Sequence, residues 1–184
     1  MRWFVSLLVP ALAFAAPVPK AKDALPPFAT TEGDTLEYEY STRGKPHAWY
    51  TERVTGAEKQ KDGSAHVTIR TAVTGGETFS TTFAVSGTVL STVAKGQDQL
   101  TKPSRVLKLP LAVGAKWEEL NEKYEVTAEE EVEVPAGKFK AVKVEKTTSE
   151  GTWRTWYAPG VGIVKMTATV TETVLELKAF KPGK

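Results

Sequence analysis

From Asp34 onward, apolar and polar residues alternate with a period of two, in short runs set apart by turn residues. Leu36, Tyr38 and Tyr40 alternate with Glu37 and Glu39. Ala65, Val67, Ile69, Thr71 and Val73 share one side of the run 65–73, opposite His66, Thr68 and Arg70. Phe79, Thr81, Phe83 and Val85 do the same in 78–85, and Tyr124 to Val134 is the longest run. Such alternation places one side of each run on a core and the other in water, as in antiparallel strands. Asp62-Gly63, Gly75-Gly76, Pro135-Ala136-Gly137 and Pro159-Gly160 supply the turns between runs. With 35–40, 47–54, 89–93, 139–146, 152–157, 162–170 and 173–180, the pattern predicts roughly ten strands joined mostly by short turns. No amphipathic helix of ordinary length is visible. The predicted fold is all-β: a single antiparallel, strongly curved sheet forming a half-barrel or barrel, with a β-sandwich as the alternative. Residues 96–105 are polar and contain Pro103, which reads as a long loop. Residues 106–117 are apolar but cut by Pro110 and Gly114, too irregular for a helix.

The N-terminus departs from this pattern. Arg2 precedes a short apolar stretch, Trp3 to Phe14, and Ala13-Phe14-Ala15 is a small-x-small cleavage signal. This is the layout of a secretory signal peptide, and the stretch is shorter than the ~20 apolar residues of a membrane-spanning helix. Residues 1–15 are therefore predicted to be removed, which leaves no membrane span and places the protein in the periplasm or outside the cell. No Cys follows that could carry a lipid. Residues 16–33 hold Pro17, Pro19, Pro26 and Pro27 and read as a Pro-rich arm. The β-domain is expected over 34–184.

Composition narrows the chemistry. The chain has 184 residues, a formal net charge of +2 and no Cys. A near-neutral balance lacks the basic stripe of a nucleic-acid binder. His47 and His66 are the only imidazoles, and no Gly-x-Ser-x-Gly elbow accompanies them. The pattern thus displays no acid–base constellation for a hydrolase, and the expectation is a non-enzymatic protein with no catalytic residue. With two separated His and only four Asp, neither a zinc nor a calcium site is expected, and no cofactor is indicated. Glu125, Glu129, Glu131 and Glu133 share one side of a predicted strand, while Lys138, Lys140, Lys143 and Lys146 lie on the next. Cross-strand ion pairing accounts for them more simply than cation binding.

The aromatic residues point elsewhere. Trp49, Tyr50, Trp117, Trp153, Trp156 and Tyr157 are many for a chain of this size. Trp153 and Tyr157 fall on one face of their run and Trp156 on the other, so one large ring either meets a ligand or is covered by another part of the chain. Trp49, Trp153, Trp156 and Tyr157 are the candidate ligand-binding residues.

Two phrases, Val132-Glu-Val-Pro-Ala-Gly-Lys-Phe-Lys-Ala-Val-Lys-Val-Glu145 and Thr155-Trp-Tyr-Ala-Pro-Gly-Val-Gly-Ile-Val-Lys165, resemble exported bacterial β-domains of the TapB-like type. Leu107-Lys-Leu-Pro-Leu-Ala-Val-Gly-Ala-Lys-Trp117 extends the resemblance, which spans about Val106 to Lys165. It implies an exported β-domain and carries over no catalytic residue. In outline the group is similar to periplasmic lipoprotein carriers, whose curved sheet cradles acyl chains. The expected function is binding of a lipid or other hydrophobic ligand in a curved sheet. The alternative is a protein-interaction or structural module at the cell surface, with an envelope protein as partner.

Overall fold

In a computed structural model, which describes residues 26–184, all the strands lie in one antiparallel sheet. They are β1 (Thr35–Thr42), β2 (Lys45–Lys59), β3 (Ala65–Val73), β4 (Thr78–Val85), β5 (Val89–Lys95), β6 (Asp98–Lys108), β7 (Lys116–Glu119), β8 (Glu122–Val134), β9 (Gly137–Thr148), β10 (Gly151–Ala158), β11 (Gly162–Ala168) and β12 (Thr173–Lys181). The spatial order is β6-β5-β4-β3-β2-β1-β12-β11-β10-β9-β8-β7. Every neighbour in sequence pairs with the next, except that β6 and β7 form the two outer edges and β1 closes against β12. The single sheet removes the sandwich alternative. The predicted signal peptide and residues 16–25 of the arm lie outside the described residues. Among the described residues, no helix is long and apolar enough to cross a membrane.

Two strands were not foreseen, and both are edges. β6 occupies the stretch read as a loop because of Pro103. Its pairing jumps from Thr92↔Ser104 to Ala94↔Gln99, so residues 100–103 bulge out of the ladder. Proline is tolerated where no ladder hydrogen bond is asked of it, at an edge and in a bulge. β7 is only four residues long and pairs with β8 alone.

The sheet curls until its edges face each other. β6 and β7 are not paired through their backbones; side chains bridge the seam instead. Arg105 on β6 meets Glu119 on β7 at 3.5 Å, and Leu107 and Trp117 enter one buried cluster with Leu90, Val126 and Val144. The second cluster joins Leu36, Val54, Val67, Ile69 and Leu177 with Val132, Val134 and Ala141 from the β8–β9 hairpin. A register shift between Val126 and Ala128 separates the two. Before it β9 buries Val144; after it β9 buries Ala141, so the hairpin turns its opposite face inward. The hairpin tip then docks on β12, where the Ala136 N–H donates to the Leu177 carbonyl at 3.1 Å. Each fully buried Leu or Val contributes about 1.5–3 kcal/mol through area removed from water.

The described part of the arm packs against the domain. Ala29 is buried, and the Phe28 ring meets Phe83 edge-on with centroids 5.0 Å apart. Asp34, itself buried, ties the arm to the other end of the chain. One carboxylate oxygen accepts the Gly183 N–H at 2.7 Å and the other the Thr31 N–H at 3.0 Å. Only glycine fits at 183, since a Cβ there would collide with the Glu32 carbonyl. Replacing Asp34 with Ala leaves two backbone donors without their charged acceptor. Asp34→Ala should lower the unfolding free energy by about 2–3 kcal/mol. Urea denaturation checks this; a loss under about 0.5 kcal/mol would show that the clasp does not contribute.

Candidate functional site

The curl encloses a cavity of about 340 Å³. Its walls come from both halves of the sheet and from the arm. β1 and β2 supply Leu36, Tyr38, Tyr40, Tyr50 and Glu52; β3 and β4 supply Ile69, Thr71, Phe79, Thr81 and Phe83. Leu90, Val106, Tyr157, Ile163, Met166 and Leu175 line other parts, and Phe28 and Ala29 of the arm complete the enclosure. Most of these residues are apolar or aromatic, and Phe79 is 51% exposed. The volume lies within the roughly 300–1,000 Å³ of small-molecule sites.

The strand register explains how the polar members come together. Tyr38 pairs with Tyr50 across β1 and β2, and Leu36 pairs with Glu52. Glu52 in turn pairs with Thr71, and Thr71 with Phe79. Neighbours in a ladder share a face, so Tyr38, Tyr50, Glu52 and Thr71 form one patch on the wall. Tyr40 joins it, its ring edge-on to Tyr50 at 6.1 Å. The Tyr38 hydroxyl donates to the Ile163 carbonyl at 2.9 Å, and the Tyr40 hydroxyl lies 3.4 Å from Thr173 Oγ1.

Glu52 has no hydrogen-bond or ion-pair partner among the described residues. Burial in the apolar wall pushes its carboxyl up to about 7. Burial, and next the nearby charge of Glu52, raises the Tyr38 phenol well above its usual range. Burial raises the Tyr157 phenol to about 12. Burial followed by Tyr40 raises Tyr50.

Of the candidate ligand-binding residues Trp49, Trp153, Trp156 and Tyr157, only Tyr157 lines the cavity. Trp153 shares its face but lies near the start of β10, where the Lys146 ammonium sits 4.9 Å from its ring centre. Trp156 is on the other face, and the β8–β9 hairpin covers it. Its indole N–H donates to Glu130 at 2.6 Å and its ring packs on the cluster containing Val132 and Ala141. Trp49 is 47% exposed on the outside, with Lys178 5.5 Å from its ring centre. The aromatics that do build the wall, Tyr38, Tyr40 and Tyr50, were visible as strand residues. Nothing in one sequence told which strand faces would meet across the curl. Glu52 had a local signal: a carboxylate on the face of β2 that also carries Tyr50 and Val54.

The acidic row pairs with the lysines, in a register that differs from strict alternation. Glu129 meets Lys140 at 2.7 Å, and Glu131 and Glu133 both approach Lys138. The bulge sends Lys143 to Glu130 and Lys146 to Glu122, while Glu125 pairs across the other ladder with Lys116. Among the described residues no group of three or more His, Cys, Asp or Glu is placed to hold a metal. His47 is exposed and His66 half-buried on the face opposite Val67.

No protein-family model matches the chain, and no curated protein matches it by sequence. Neither comparison confirms the TapB-like resemblance. Solved structures share the fold instead, that of a curled all-β domain. A protein of Bacteroides fragilis, described as exported and as having a YmcC-like fold, superposes with a TM-score of 0.61 at 19% identity. The match covers 84% of this chain and 98% of that one. A protein of Parabacteroides distasonis, described as a lipoprotein, gives a TM-score of 0.60 at 14% identity, covering 87% of this chain and 100% of its own. At these identities the likeness is one of fold.

The raised Glu52 carboxyl makes stability depend on pH. A folded-state pKa above the unfolded value means that the native state binds the proton more tightly. Its cost to folding is absent below the unfolded value of 4.5 and grows as pH rises through about 7. Glu52→Gln should therefore leave stability at pH 4 nearly unchanged and raise it at pH 8 by on the order of 3 kcal/mol. Urea midpoints of both proteins from pH 4 to 8 test this. Parallel pH profiles would mean that Glu52 is solvated and titrates normally.

Proposed function

We propose that this is an exported, non-enzymatic envelope protein that holds a lipid or other hydrophobic molecule inside its curled sheet. The observation that carries the reading is the cavity: an apolar, aromatic-lined space between strands, with the exposed ring of Phe79 at its wall. Isolated exposed apolar residues are ordinary, but one continuous with an apolar cavity suits an entry point. Export is supported by the predicted signal peptide and by structural relatives described as an exported protein and a lipoprotein.

A second reading rests on the seam. β6 and β7 each leave one edge without a backbone partner, and an unpaired edge can accept an added strand from another envelope protein. Arg105–Glu119 and the Leu107–Trp117 contact partly shield those edges, which is why the cavity is preferred.

Uptake of the hydrophobic dye N-phenyl-1-naphthylamine separates the two readings. The purified protein should enhance its fluorescence saturably, with one dye per chain. Thr81→Trp, which fills the cavity from β4, should reduce uptake at least about fivefold while keeping a cooperative melt. No saturable uptake by the unsubstituted protein would contradict a hydrophobic site.

A further inference from the structure

The cavity contains one feature that a purely apolar ligand does not use. Of its lining residues, Glu52 alone carries a charged side chain; no Lys, Arg or His lines the wall. The cations next to it in the ladder, Arg53 on β2 and Arg70 on β3, alternate onto the opposite face and are exposed. Thr71, paired with Glu52, makes no hydrogen bond to it. Glu52 is half-buried, and an apolar body bound against it would strip water from the ionised carboxylate at a cost unless that body supplies the opposite charge. Within the described residues no group supplies it.

The surroundings select the kind of charge. Tyr38, Tyr40 and Tyr50 bring three aromatic rings to the same patch, and ring faces attract cations. Rings beside a carboxylate form the usual surroundings of an organic ammonium group. A ligand with its own carboxylate or phosphate would instead set two like charges together in a partly desolvated space. A neutral alcohol gains one hydrogen bond and leaves the charge uncompensated. The rest of the wall, with Phe83, Leu90, Ile163, Met166 and Leu175, accepts an apolar body.

We propose that the cavity's ligand is an amphiphile headed by an organic ammonium group, with the ammonium against Glu52 and the Tyr38, Tyr40 and Tyr50 rings, and the apolar tail in the remaining space. This rests on the hydrophobic-ligand reading and narrows it to one head-group chemistry.

The experiment compares three probes of equal chain length, dodecylamine, dodecanol and dodecanoate, below their aggregation limits at pH 8, by displacement of the bound dye. Dodecylamine should bind at least about tenfold more tightly than dodecanol, with dodecanoate weakest. Glu52→Gln should weaken dodecylamine about tenfold and leave dodecanol within twofold; its thermal melt, recorded in parallel, confirms that it is folded. Equal binding of amine and alcohol by the unsubstituted protein overturns the inference while leaving the hydrophobic site in place. So does a Glu52→Gln effect of the same size on both. Binding of none of the three overturns both readings.

Discussion

The Tyr38 hydroxyl reaches over β12 to the Ile163 carbonyl of β11 at 2.9 Å, forming a chord across the inside of the curl. The cavity depends on that curvature. A flatter sheet would put Leu36, Ile69, Leu175 and Tyr157 on an open face; the curl turns them into walls of one enclosure. The seam at β6 and β7 follows from it too. The edges come close enough for Arg105 to meet Glu119 and for Leu107 to share a cluster with Trp117, but they do not pair through their backbones. A sheet closed by side chains can open at less cost than one closed by a ladder, because no backbone hydrogen bonds have to break.

The polar groups inside divide into two kinds. Tyr38 and Tyr40 have partners for their hydroxyls, and both bonds tie β1 to strands beyond its nearest turn. They set the shape of the wall. Glu52 has no such partner and adds nothing to the fold that an uncharged side chain of its size would lack. Its unpaired place in the wall sets it apart from the acids of β8, which lie in ion pairs on exposed surface and stabilise little.

Much of the fold was legible because alternation is a strong signal when one face is buried. Leu36-Tyr38 and Val67-Ile69 read correctly from spacing alone, and β8 was legible as a strand, though the bulge after Val126 puts Glu125 on the opposite side from Glu129, Glu131 and Glu133. β6 was not legible, since Pro103 argues against a strand unless a bulge at an edge excuses it, and both bulge and edge are tertiary facts. Of the cavity wall, only Tyr157 was a candidate ligand-binding residue in the sequence, with Tyr50 noted among the aromatics. The Trp residues attracted attention by size and polarity, yet Trp156 is covered by a hairpin whose inward face changes at a bulge. Alternation assigns residues to faces; it does not tell which faces meet. Glu52 and the tyrosines of β1 and β2 become a site only when the sheet closes over them.

The central claim is that the curled sheet holds a hydrophobic molecule in its native setting. Native mass spectrometry of the protein purified gently from its own host's envelope, followed by organic extraction, tests this most directly. The account predicts a stoichiometric mass increment that is lost on denaturation and recovered in the extract as one class of apolar, nitrogen-containing molecule. A clean unliganded mass, together with no uptake when the host's own extracted lipids are offered back, would contradict it and direct attention to the unpaired edges of β6 and β7.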